Sequence, residues 1–191
     1  MRAFVALRLN PDSEDAVSAF IGELRMLNGS ISWSRRDNLH LTLRFLGNAI
    51  PVPRVEALAP ALKRIAAATK PFDLSASGTG AFPDLRRPRV IWIGAVAAPL
   101  IRLAQEVEAA ARACGFNAES RPYSPHLTIG RVRDFHGGEA VRQHLASNCK
   151  RDFGISRIES ISLYRSHLGR DGATYEELGR YPLGAGSSLS E

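Results

Sequence analysis

Two short stretches, "LHLTLRFLG" (39–47) and "PHLTIGR" (125–131), constrain this chain more than any other feature. Each places a histidine and a threonine two residues apart in an otherwise aliphatic, alternating run. In a strand, side chains i and i+2 share a face and lie roughly 7 Å apart. His40, Thr42 and Arg44 are therefore expected on one face, with Leu41, Leu43 and Phe45 on the other. His126 and Thr128 stand likewise against Leu127 and Ile129. The tetrad recurs after 86 residues in a chain of 191. Such spacing predicts an internal duplication of roughly 90 residues per half, giving two lobes about a pseudo-twofold axis. The two His-Thr pairs would then face each other across a cleft. Strict alternation puts Arg131 away from the histidines unless the strand ends or bulges after Gly130.

The rest of the pattern gives an α+β fold with largely antiparallel sheets, helices on the outside and the cleft between the lobes. "AFVALRL" (3–9) predicts a first strand, and "NPDSEDAVSAFIGELRML" a helix opened by Pro and Asp. After "NLHLTLRFLG", apolar residues at helical spacing follow in 51–69, where Pro60 predicts a kink or a late start. "FDLSASGTGAF" and "RVIWIGAV" are strand-like and flank an exposed "PDLRRP" loop. A helix over 98–114 ends at Gly115, "YSPHLTIGRV" is a strand, and a short helix is expected near 137–147. "ISRIESISLYRSHL" and "ATYEELGRYPL" close the fold around a "GRDG" turn. The small, polar tail "GAGSSLSE" is expected to fray. The whole of 1–191 is expected to be one bilobal domain.

Composition limits the function. A chain with 45% hydrophobic and 23% charged residues matches a soluble globular protein. No stretch approaches the roughly 18 apolar residues of a membrane helix, and the opening lacks a signal-peptide core. A cytoplasmic location is expected. Cys114 and Cys149 form no CxxC and are expected as free thiols. The charge of +6 permits a polyanionic partner. The arginines are scattered, however, and aromatics make up only 7%, with no RNP-like run. That weighs against a purely basic RNA-binding module without catalysis. GxSxG, a GxxxxGK[ST] loop and HExxH are all missing, so neither a serine hydrolase, an ATP-driven ligase nor a zincin is indicated.

Two imidazoles and two hydroxyls converging on one space suit displacement at phosphorus. The attacking and leaving oxygens lie on opposite sides of the phosphate, so a base is needed on one side and an acid on the other. Histidine, with an ordinary pKa near 6.5, supplies either. Threonine hydroxyls can donate to the non-bridging oxygens. This scheme needs neither metal nor cofactor. His136, His144 and His167 stand outside the pattern and are expected at the surface.

With those residues in view, the chain resembles the two-histidine (2H) phosphoesterases. The likeness is strongest to the bacterial RNA 2′,3′-cyclic phosphodiesterases, long called 2′-5′ RNA ligases. It runs through "FVAL", "NLHLTLRFLG", "GTGAFP", "RPRVIWIG", "RPYSPHLTIGR" and "SISLYRSHLGRDGATYEELGRYPL". The resemblance implies cofactor-free hydrolysis of RNA terminal 2′,3′-cyclic phosphate to a 2′-phosphomonoester. It implies His40 as the acid for the leaving 3′ oxygen and His126 as the base for water. Thr42 and Thr128 would hold the phosphate, and Arg131 would contact substrate. Arg44 by parity, and Tyr123 by stacking on a base, are further candidates. RNA ends or nucleoside 2′,3′-cyclic phosphates are the expected partners of a monomer. A 2′-5′ linkage or ADP-ribose 1″,2″-cyclic phosphate could occupy the same cleft.

Overall fold

The computed structural model describes residues 1–27, 30–133, 138–169 and 172–184. The expectations for His136, the tip of the "GRDG" turn and the tail beyond 184 fall outside these residues. The strands are β1 (Arg2–Leu7), β2 (Ser32–Trp33), β3 (Leu41–Gly47), β4 (Phe72–Phe82), β5 (Val90–Val96), β6 (His126–Arg131), β7 (Asp152–Ile158), β8 (Ser160–Gly169) and β9 (Gly172–Pro182). The helices are α1 (Pro11–Leu27), α2 (Val52–Glu56), α3 (Ala59–Ala68), α4 (Leu100–Ala113) and α5 (Glu139–Ser147). Pro60 takes a place in the first turn of α3, where its missing N–H costs nothing. The helical stretch expected over 51–69 therefore divides in two. Among the described residues, no helix is long and apolar enough to cross a membrane.

All nine strands join one antiparallel sheet, in the order β7-β4-β5-β6-β3-β1-β8-β9 with β2 beside β6. Its centre is the seam between β3 and β6, whose one registered pair is Leu41 opposite Leu127. The lobes on either side are β3-β1-β8-β9 and β6-β5-β4-β7, so they are not the two halves of the sequence. Strands β4 and β5 join the second lobe, while β8 and β9 return to the first. "ISRIESISLYRSHL" is accordingly two strands, broken at Glu159. No glycine, proline or asparagine marks the break, so turn signals alone leave the run undivided.

That break also shows how far the sheet curls. Ile158 and Ser160 can be at most about 8 Å apart, yet five strands separate β7 from β8 in the sheet. The sheet must bend round until these ends approach. Ala3, Val5 and Leu7 of β1 join the helices' buried residues in the main core, whereas Phe4 and Ala6 belong to a second cluster with Tyr164. All five helices thus cover one face. A curl of this size has room inside for side chains and not for five helices, so the helices take the convex face. The concave face is left for the site.

Candidate active site

His40 immediately precedes β3, and His126 opens β6. Extending the register of the Leu41–Leu127 pair sets His40 across from Thr128, and Thr42 across from His126. All four side chains therefore share the concave face at the seam. Each ring is fixed alike: His40 Nδ1 donates to the Asn38 carbonyl at 2.7 Å, and His126 Nδ1 donates to the Ser124 carbonyl at 2.7 Å. With Nδ1 carrying the proton, the neutral ring presents the Nε2 lone pair to the cleft. Among the described residues, neither Thr42 nor Thr128 spends its hydroxyl on a side-chain hydrogen bond.

Aromatic rings support both imidazoles. Phe4 stacks on His40 with centroids 4.7 Å apart, and Tyr175 meets it edge-on at 5.1 Å. Phe82 meets His126 edge-on at 5.0 Å. These neighbours arrive from β1, β9 and β4, which local sequence around the motifs could not reveal. Their only sequence signal is parity: Phe4 lies on the β1 face opposite Ala3 and Val5. Burial beneath the rings is the main reason the His40 pKa falls to about 4, helped by the positive charges of Arg8 and Arg131. His126 is also lowered, chiefly by burial and then by Arg131. The hydrogen bond to a carbonyl opposes the fall in both rings. Both histidines are neutral at pH 7 in the free protein.

The two arginines exchange the faces that alternation assigned them, for one reason. In β6, Ile91 opposes Gly130 and Trp92 opposes Thr128, so Ile129 is an extra residue. In β3, Val5 opposes Arg44 and Ala6 opposes Thr42, so Leu43 is extra at the matching place. Each bulge turns two successive residues toward the helices and shifts the parity of the residues beyond it. Arg131 therefore comes onto the histidine face through a bulge at Ile129, one residue before Gly130 rather than after it. Arg44 is carried off it, which corrects its candidacy as a phosphate contact. It is buried on the helix side against Glu108, an ion pair by proximity rather than an aligned hydrogen bond, and bonds Glu119 at 2.8 Å.

Gly130 lies where the backbone passes under Trp33, and a Cβ there would meet the indole at 2.8 Å. Tyr123 packs against the main core with its hydroxyl buried and unpartnered, and burial pushes that phenol far up. It lines the cleft wall. His144 is not a free surface residue. It stacks on Phe20 with centroids 5.4 Å apart and meets Glu23 at 2.9 Å, while His167 is exposed and pairs with Glu176. Cys114 and Cys149 are both free thiols.

A curled antiparallel sheet with helices on its convex face and paired histidines at a central seam defines a two-histidine phosphoesterase. Residues 13–170 match the 2′-5′ RNA ligase superfamily, and the chain belongs to it. An RNA 2′,3′-cyclic phosphodiesterase of Geobacillus stearothermophilus is 29% identical over 181 residues, covering 94% of this chain and 56% of that protein. The chain thus spans little more than half the length of that relative. The Archaeoglobus fulgidus protein of the same name is 32% identical over 182 residues, covering 93% of this chain and 98% of its own. The crystal structure of TT0787 of Thermus thermophilus superposes with a TM-score of 0.80 at 27% identity, covering 96% of this chain and 98% of that one. Escherichia coli LigT complexed with 3′-AMP gives 0.75 at 26% identity, covering 95% and 97%.

Proposed function

We propose that this chain hydrolyses RNA terminal 2′,3′-cyclic phosphates to 2′-phosphomonoesters, drawing acid and base from its two histidines without a metal. The names of its relatives support the activity, and the complex of LigT with 3′-AMP supports a nucleotide ligand. The observation that carries the mechanism is the matched pair of imidazoles, each tied at Nδ1 to a carbonyl two residues back. His126 Nε2 takes a proton from water as the water oxygen attacks phosphorus. The P–O3′ bond opposite breaks, and His40 Nε2–H gives its proton to the departing 3′ oxygen. Thr42, Thr128 and Arg131 hold the non-bridging oxygens. Because burial keeps His40 neutral in the free protein, it takes its proton from solvent when the anionic phosphate binds, since that charge favours the imidazolium. The lower pKa of His40 favours a second reading in which the two roles are exchanged. The matching motifs and matching bulges support an origin by internal duplication. Both half-sites on one chain support a monomer, and we place it in the cytoplasm.

The test is turnover of a nucleoside 2′,3′-cyclic phosphate by chelator-treated protein, with the product isomer identified. His40→Ala and His126→Ala are each expected to lower kcat by roughly 10²–10⁴-fold with the fold intact. A 3′-phosphate product, or turnover indifferent to both substitutions, refutes the scheme. A 2′-5′ dinucleotide cleaved in place of the cyclic phosphate would redirect the site to that linkage.

A further inference from the structure

The cleft beside His126 is larger than a terminal nucleotide requires. It encloses about 1340 Å³, against roughly 300–1,000 Å³ for ordinary small-molecule sites. From Thr42 and His126 it runs outward between α4 and the loop joining β4 to β5, past Phe82, Tyr123 and Ile101. At the other end of the site Phe4 and Tyr175 pack around His40. Arg87, Arg89 and Arg121 line the open arm and are exposed. Its two carboxylates, Glu108 and Glu119, are both occupied by Arg44. Asp84 accepts the backbone N–H groups of Arg86 and Arg87 at 2.7 and 3.0 Å and offsets part of that charge. Among the described residues, Arg44 is the one lining arginine that forms salt bridges, and Arg87, Arg89 and Arg121 form none.

We propose that this arm holds the RNA strand upstream of the cyclic end, making the protein selective for oligonucleotide ends over mononucleotides. The proposal rests on the hydrolase reading above. The penultimate nucleotide lies against the apolar wall of Phe82 and Ile101, where a ring face or an alkyl side chain accepts any base. The phosphates on its 5′ side meet Arg87, Arg89 and Arg121, whose planar guanidinium groups suit phosphate oxygens. The 2′,3′-cyclic phosphate sits at the seam, so the strand enters from the His126 side.

The experiment compares kcat/KM for a nucleoside 2′,3′-cyclic phosphate and for a tetranucleotide bearing the same cyclic end, across a salt series. Wild type, the single variants Arg87→Ala, Arg89→Ala and Arg121→Ala, their triple combination and a distant control, Lys63→Ala, are assayed. Wild type and control are expected to prefer the tetranucleotide at least about tenfold. Their log–log salt dependence should be steeper on that substrate by about 0.7 per phosphate contacted. The triple variant is expected to lose both the preference and the extra slope, with the singles intermediate. Equal rates on both substrates in wild type, or a preference that survives in the triple variant and in every single, overturns the track while leaving the hydrolase intact. Turnover of neither substrate by wild type overturns both.

Discussion

The matching bulges lead to a reciprocal prediction about two arginines that alternation places on the wrong faces. Arg44 is 8% exposed at its side chain, between Glu108 at 26% and Glu119 at 48%, and its guanidinium also bonds the carbonyls of Phe45 and Asn117. Breaking a fully buried pair costs about 3–5 kcal/mol. Here the abandoned carboxylates can partly rehydrate, so Arg44→Met should cost about 2–3 kcal/mol. For a domain of this size that is a fall in Tm of about 4–12 °C. Mononucleotide kcat/KM should stay within about threefold. Arg131 is exposed on the concave face, so Arg131→Met should shift stability by no more than about 0.5 kcal/mol. Loss of a charge-assisted bond to phosphate, about 1.5–3 kcal/mol, should lower kcat/KM by roughly 10- to 150-fold. The assays are thermal melts and turnover of a nucleoside 2′,3′-cyclic phosphate. An Arg44 variant with native Tm and lost turnover, or an Arg131 variant with the converse behaviour, would refute the parity argument.

Three other expectations concern the histidines and the seam. An unfolded His40 protonates near pH 6.5, whereas the folded one waits until about 4. The unfolded state therefore binds more protons in that window, and stability falls as the pH drops from 6.5 toward 4, by at most about 3 kcal/mol. His40→Gln should remove that loss, which denaturant midpoints at pH 4.5 and 7 would show; an unchanged pH dependence would contradict the burial of His40. Nitrogen-15 NMR of the free protein should find both His40 and His126 neutral at pH 7 with the proton on Nδ1. Nε2-protonated rings would overturn the carbonyl tethers. Gly130→Ala should cost about 1–3 kcal/mol, because its Cβ would press on Trp33 at 2.8 Å; a variant as stable as wild type would show that the indole moves freely.

Much of the site is written in the local sequence. Period-two alternation puts His40 with Thr42 and His126 with Thr128, and the curled sheet keeps both pairs on one face. Turn and helix signals also locate the loop after Phe82 and the helix ending before Gly115, since these depend on residues close together in the chain. The aromatic bed beneath His40 could not be read this way, because Phe4 and Tyr175 lie far from it along the chain and meet it only across strand pairings.

The tertiary structure decided which arginine reaches the histidines and which strands make a lobe. A bulge exists only when two residues on one strand oppose one on its partner, so neither Leu43 nor Ile129 shows it in sequence. Lobe membership likewise turns on Glu159, where a run with no glycine, proline or asparagine passes from the edge strand of one lobe to a strand of the other. Alternation records which side of its own strand a residue occupies; the partner strand determines which residues are opposed and where that count slips.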